Sequence, residues 1–164
     1  MSDFRLLAGK ALLAEQGERF ADQGLEDQLR ELVDREQIRN LTSLYAQRVA
    51  QGLPNSDLFT DDGVYINRQS RDAEPTEVRG RAELDAHWGY TPERIGGPTP
   101  MIHNHVIVVD GNEASAICSI ELRIVHGTTK IFASGYYEDR LRRENGRWKF
   151  AVRDVTFFRW GPDQ

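Results

Sequence analysis

Two histidines, His103 and His105, stand two residues apart within the apolar stretch from Met101 to Val109. On an extended strand, residues at that spacing point to one face, so both imidazoles address the same surroundings. A group titrating near neutrality can take a proton from carbon or oxygen and return it to a leaving group, which is the core of elimination chemistry. His103 is the first choice for that base and His105 the second; the alternative is an ordinary surface or interface histidine. A one-residue bulge would turn both outward and bring Asn104 inward. Tyr45 and Tyr65 can donate hydrogen bonds to a carbonyl or phenolic oxygen as negative charge develops on it, or can anchor their hydroxyls to backbone. Arg153 keeps its charge and requires an anionic or oxygen-rich partner. That partner is a ligand's carboxylate, enolate or phenolate, or else Asp154, Asp139 or Glu121 in a structural ion pair. Cys118, the only cysteine, has no helix N-terminus or base implied beside it and reads as packing rather than as a nucleophile.

Positioning these groups falls to two kinds of element. Leu25, Leu29, Leu32, Ile38, Leu41, Leu44, Tyr45 and Val49 recur at three- and four-residue steps, predicting an amphipathic helix over 25–50, stopped by Gly52-Leu53-Pro54-Asn55. Residues 6–20 read as a helical arm, which places an arm over 1–24 and a single domain over 25–164. Asp61-Asp62-Gly63 is a turn signal before the strand-forming Val64-Tyr65-Ile66, 68–79 is polar and reads as loop, and 81–88 forms a short helix behind Gly80. The second half changes period. Residues 101–109, 114–125, 129–142 and 147–160 are strand-like and separated by turn residues, an antiparallel meander.

Alternation along these strands puts Ala114, Ala116, Cys118, Ile120, Leu122 and Ile124 on one face, and Ile131, Ala133, Gly135 and Tyr137 on another. Small residues beside a tyrosine leave room next to a polar handle, as a ligand cavity requires; plain core packing is the alternative. Cys118, Ile120 and Tyr137, with Trp88 from the short helix and Asn104, are therefore the candidates for contacting a small molecule. Phe157, Phe158 and Trp160 on the last strand suggest an exposed face for self-association.

Several function classes are excluded by composition. A chain of 164 residues with 39% hydrophobic and 29% charged residues is sized and balanced for one folded domain. A net charge of −5 lacks the basic face that nucleic acid demands. The longest apolar runs are strand-sized, and no basic, apolar and small-residue series opens the chain, so a cytoplasmic protein with no membrane partner is expected. Gly97, His103, His105 and Asp110 imitate the first metal motif of cupins, with His126 or Glu121 as a further ligand. The second cupin motif is missing, so no metal is expected.

The strings Ile38-Arg39-x-Leu41 to Tyr45-Ala46, Leu58 to Tyr65, Val108 to Asn112, Gly135 to Asp139 and Glu144 to Arg153, in this order, resemble the SnoaL-like branch of the nuclear-transport-factor-2 (NTF2)-like superfamily. The resemblance implies an α+β fold: a cone-shaped, curved, mostly antiparallel sheet wrapped by N-terminal helices, the NTF2-like or cystatin-like α+β barrel. It also implies a homodimer, no cofactor, and a cofactor-independent lyase or isomerase acting on a small hydrophobic, aromatic or polycyclic molecule, or else a non-catalytic binding or assembly module. Tyr45 and Tyr65 resemble pocket tyrosines of scytalone dehydratase, and Arg153, five residues after Trp148, resembles an arginine of hexachlorocyclohexane dehydrochlorinase. The family's usual histidine aligns near Met101, one and two pleats before His103 and His105. Ala50 stands where dehydratase-like members carry an aspartate.

Overall fold

The computed structural model of the chain describes residues 24–90, 92, 97–126 and 128–160; the arm expected over 1–24 lies outside them except for Gly24. Helix α1 (Leu25–Ala50) has the expected bounds. Glu26 and Asp27 sit in its first turn, where the helix dipole favours negative charge, and Gly52 takes up the left-handed φ of 64° that ends it. Ile38, Leu41 and Tyr45 in its second half are buried as the periodicity predicts, and Ala46 with them, whereas Leu44, expected inside, is exposed. The first half is turned the other way. Leu25, Leu29 and Leu32, expected inside, are exposed, while Glu31, Asp34 and Arg35 are buried. Those three reach the core side as ion pairs, Arg35 with Glu31 and Asp34 with Arg143.

Six strands follow or flank a short helix: β1 (Phe59–Arg68), β2 (Thr76–Arg79), α2 (Gly80–His87), β3 (Thr99–Asp110), β4 (Glu113–His126), β5 (Thr128–Glu144) and β6 (Arg147–Trp160). They form one sheet in the order β2-β1-β6-β5-β4-β3. The expected closed, cone-shaped barrel is therefore not formed. Among the described residues β2 and β3 are the edge strands of an open sheet, each paired on one side, and the sheet is mixed, because β1 runs parallel to β6 while the other pairs are antiparallel. β3 to β6 are the predicted meander.

Local corrections have local causes. Thr76–Arg79, read as loop, pairs with β1 through Val64↔Arg79 and Asn67↔Thr76. Asp61-Asp62-Gly63, read as a turn, lies in a bulge inside β1: five steps from Phe59 to Val64 match two on β6, Phe150 to Val152. Gly63 is needed there, since a Cβ would stand 2.9 Å from the Thr60 carbonyl oxygen. A further bulge on β5 pairs Leu122 with Ala133 but Arg123 with Ile131, so Ile131 turns outward and is 57% exposed. Gly135 does not make room for a ligand. The backbone of β6 occupies that space, and a Cβ would meet the Thr156 oxygen at 2.2 Å. Phe157 is buried in the core rather than on an outer face, which leaves Phe158 exposed.

Candidate functional site

The inner face of the sheet carries polar groups in adjacent cross-strand rows. One row runs Ile107, Ala116, Asp139, Arg153 and Tyr65 across β3, β4, β5, β6 and β1. The next runs Cys118, Tyr137, Val155 and Asn67. α1 lays Tyr45 over both rows, and Trp88, just after α2, packs edge-on against Tyr45 (5.3 Å) and Tyr65 (5.1 Å).

Arg153 lies at the centre and is wholly buried. Its guanidinium is 3.7 Å from the ring centroid of Tyr137, 4.2 Å from that of Tyr45 and 4.3 Å from that of Phe150. Aromatic faces attract a cation but offer no acceptor for its in-plane N–H groups. Asp139 is the counter-charge, with Oδ2 3.4 Å from Nη1. Arg153 Nε, Nη1 and Nη2 and Asp139 Oδ1 have no hydrogen-bond partner. Buried donors and acceptors are normally satisfied, so four such atoms in one sealed cluster single it out as the candidate site.

Electrostatics sort the groups around it. Burial pushes the Asp139 carboxyl up to about 7, with Asp154 and Glu138 adding to the shift and Arg153 opposing it. Burial and then Tyr137 and Tyr65 raise Tyr45 well above an ordinary phenol, and burial likewise raises Tyr137 despite Arg153. Burial pushes the Cys118 thiol up to about 12, which agrees with packing rather than nucleophilic chemistry. The Tyr65 hydroxyl accepts a hydrogen bond from Asn67 Nδ2 at 3.4 Å.

The two histidines are divided by a bulge. His103 pairs with Ser119 and Val106 with Ile117, three steps on β3 against two on β4, and Asn104 takes the left-handed φ of 56° that accommodates the extra residue. His103 thus shares the outer face with Met101 and Ser119. His105 alternates with the core residues Ile107 and Val109 on the inner face. Burial, then Arg153, Arg39 and His103, lower the His105 pKa, and its Nε2 is buried without a hydrogen-bond partner. The imidazole is therefore neutral at neutral pH, as a base must be. The two rings point to opposite faces and cannot chelate one metal from one side. Among the described residues no group of three or more His, Cys, Asp or Glu is placed to hold a metal ion.

Of the residues singled out from sequence, Tyr45, Tyr65, Arg153, His105, Cys118, Tyr137 and Trp88 converge. Ile120 lies on the inner face one pleat beyond Cys118. His103 is separated from the cluster and Asn104 is exposed in the bulge. The sequence offers Asp139 as a structural ion-pair partner; the signal for a larger role is a carboxylate sharing a strand face with Ala133, Gly135 and Tyr137. Among the described residues no helix is long and apolar enough to cross a membrane.

Comparison with known proteins agrees with this architecture. The model of the SnoaL-like domain matches residues 30–154. An NTF2-like protein with a cystatin-like fold from Novosphingobium aromaticivorans superposes with a TM-score of 0.68 at 24% identity, over 84% of this chain and 91% of that one. The beta subunit of a candidate aromatic-ring-hydroxylating dioxygenase from the same organism gives 0.62 at 22% identity, over 77% and 90%. A candidate scytalone dehydratase, again from that organism, gives 0.60 at 20% identity, over 77% and 85%. A search of curated proteins returned no match. With the domain model spanning most of its length, the chain belongs to the SnoaL-like family, and its fold is similar to that of the NTF2-like structure.

Proposed function

We propose that the protein is a cofactor-independent lyase or isomerase that removes a proton from a small, ring-containing hydrophobic molecule. The observation that carries this reading is the sealed guanidinium of Arg153, with unsatisfied donors, beside a neutral His105. His105 takes the proton, Tyr45 and Tyr65 hydrogen-bond to the oxygen on which charge develops, and Arg153 stabilises the resulting enolate or phenolate. Apolar Ile120, Tyr137 and Trp88 supply the rest of the contact surface. Because Arg153 is sealed, a ligand reaches it only as neighbouring side chains move aside, a shift the ligand itself must favour.

Proton abstraction is read without knowing the product. Incubated with 2-tetralone in D2O, the protein is expected to exchange the hydrogens beside the carbonyl for deuterium, followed by mass spectrometry. His105→Gln should lose the exchange and His103→Gln should keep it; the reverse pattern would reassign the base. A second reading, a non-catalytic binding module, is favoured by Ala50 where dehydratase-like members carry an aspartate. Binding of tetralone without exchange would establish it. We also propose a homodimer through the outer face, where exposed Phe158 packs at a tilt against Tyr136 (5.5 Å) and lies under Arg71 (4.8 Å). Light scattering that shows only monomer at micromolar concentration would refute this.

A further inference from the structure

We infer that the Arg153–Asp139 pair couples capture of an anionic ligand group, a carboxylate or an enolate-like oxygen, to uptake of one proton by Asp139. The inference rests on the small-molecule reading above and specifies the ligand's charge. Three aromatic rings cover the guanidinium, yet its N–H groups have no acceptor, and Asp139 Oδ2 at 3.4 Å makes an ion pair without a hydrogen bond. A strong oxygen acceptor brought from outside would satisfy donors to which the interior offers only the weak Cys118 sulfur. An acceptor that is also an anion changes the charge balance. One buried cation would then face two anions in the interior, an arrangement that burial penalises heavily.

A proton restores neutrality, and the groups facing Asp139 decide where it goes. Arg153 and Asp154 lie on β6, Glu138 is its neighbour on β5, and Cys118 acts on it from β4. Cys118, Tyr45 and Tyr137 already hold their protons, because burial raises all three. His105 is the other group able to accept one, but burial, then Arg153 and Arg39, disfavour its cation. Asp139 is left. The balance is one ligand anion and one proton taken up, giving a protonated Asp139 and an Arg153–ligand ion pair, with no bond formed or broken in the ligand. Burial pushes the free carboxyl up to about 7 against the pull of Arg153, and engagement of Arg153 by an anion weakens that pull and moves it higher. Anion binding therefore takes up protons above that value and none well below it, where Asp139 is already neutral.

The test is calorimetry of 2-naphthoate binding in phosphate and in Tris, whose different ionisation enthalpies report the protons exchanged, with neutral 2-naphthamide alongside. For the unsubstituted protein the expected uptake is close to one proton per site at pH 8, about half at pH 7 and none at pH 5.5. Affinity should be flat below about pH 6 and weaken about tenfold per unit above 7. Asp139→Asn should abolish the uptake and bind naphthoate about tenfold more tightly at pH 8, since no proton is then required. His105→Gln should retain the uptake. Uptake that persists in Asp139→Asn, disappears in His105→Gln, or is missing at pH 8 in the unsubstituted protein overturns the inference. If Asp139→Asn fails to fold, the pH dependence of the unsubstituted protein's affinity decides alone. Naphthamide binding without naphthoate binding refutes the anion site and leaves the small-molecule reading standing; if neither binds, both fall.

Discussion

Two arginines of this molecule meet an aspartate and aromatic rings, and they do so in opposite ways. Arg143, near the end of β5, lies over the Trp148 ring at 4.6 Å and bonds Asp34 of α1, whose Oδ1 also accepts the Trp148 indole N–H at 3.2 Å. The cluster closes on itself and stands at the edge of an open groove of about 590 Å³ lined by Leu29, Val33 and Asn112. Arg153, three residues along β6 from Phe150, has more aromatic surface, complete burial and a carboxylate that does not hydrogen-bond it. The first arrangement pins a helix to a sheet. The second keeps charge and donors in reserve, a state that natural proteins tolerate where chemistry or binding uses it.

The sharpest way to break this contrast is to remove each guanidinium. Arg153→Met should lower naphthoate affinity about a hundredfold, the worth of charge-assisted hydrogen bonds in a dry site, while Arg143→Met leaves it within twofold. Stability should respond the other way. At pH 6 Arg153→Met should not lower the melting temperature, because a buried, poorly bonded ion is replaced by an apolar chain and Asp139 can stay protonated. A marked loss of stability in Arg153→Met with unchanged ligand affinity would make both clusters structural.

Next in size is the outer cluster's own test. Asp34→Ala leaves a buried indole N–H and a guanidinium without their acceptor, which costs about 2 kcal/mol in urea denaturation. Naphthoate affinity should not change. The Asp34 result was not foreseeable from sequence, because helical periodicity assigns Leu25, Leu29 and Leu32 to the core and Asp34 to solvent. Ion pairing overrode the hydrophobic pattern there, and a pattern of apolar residues carries no information about distant partners such as Arg143. Burial was legible from helical spacing for Tyr45 and from strand parity for Cys118, while Arg153 was singled out by its place five residues after Trp148 in the family resemblance. Open sheet edges, the β2 strand and the bulges were not. Each depends on register between strands, which a single strand's alternation cannot reveal.

pH separates the two aspartates by a smaller effect. The Asp139 carboxyl, raised from an ordinary value of 3.8 to about 7, holds a proton more tightly in the folded protein than in the unfolded chain. Its contribution to stability is therefore complete below about pH 4 and is lost as pH rises through 7. The melting temperature of the unsubstituted protein minus that of Asp139→Asn should fall across pH 4 to 8. A difference that rises with pH would show Asp139 acting as a permanently charged partner.

The smallest expected effect tests how His105 joins the inner cluster. Alternation alone would send His103 and His105 the same way; the bulge at Asn104 separates them. The left-handed backbone there suits asparagine and suits glycine slightly better, since no Cβ meets the following carbonyl. Asn104→Gly should thus change stability by only a few tenths of a kcal/mol and keep deuterium exchange into tetralone within twofold. Asn104→Ala, with a Cβ in the same conformation, should cost about 1 kcal/mol or remove the bulge. If exchange falls in Asn104→Gly with the fold intact, Asn104 itself acts on the ligand, and the boundary between the inner site and the outer face lies one residue from where the backbone register puts it.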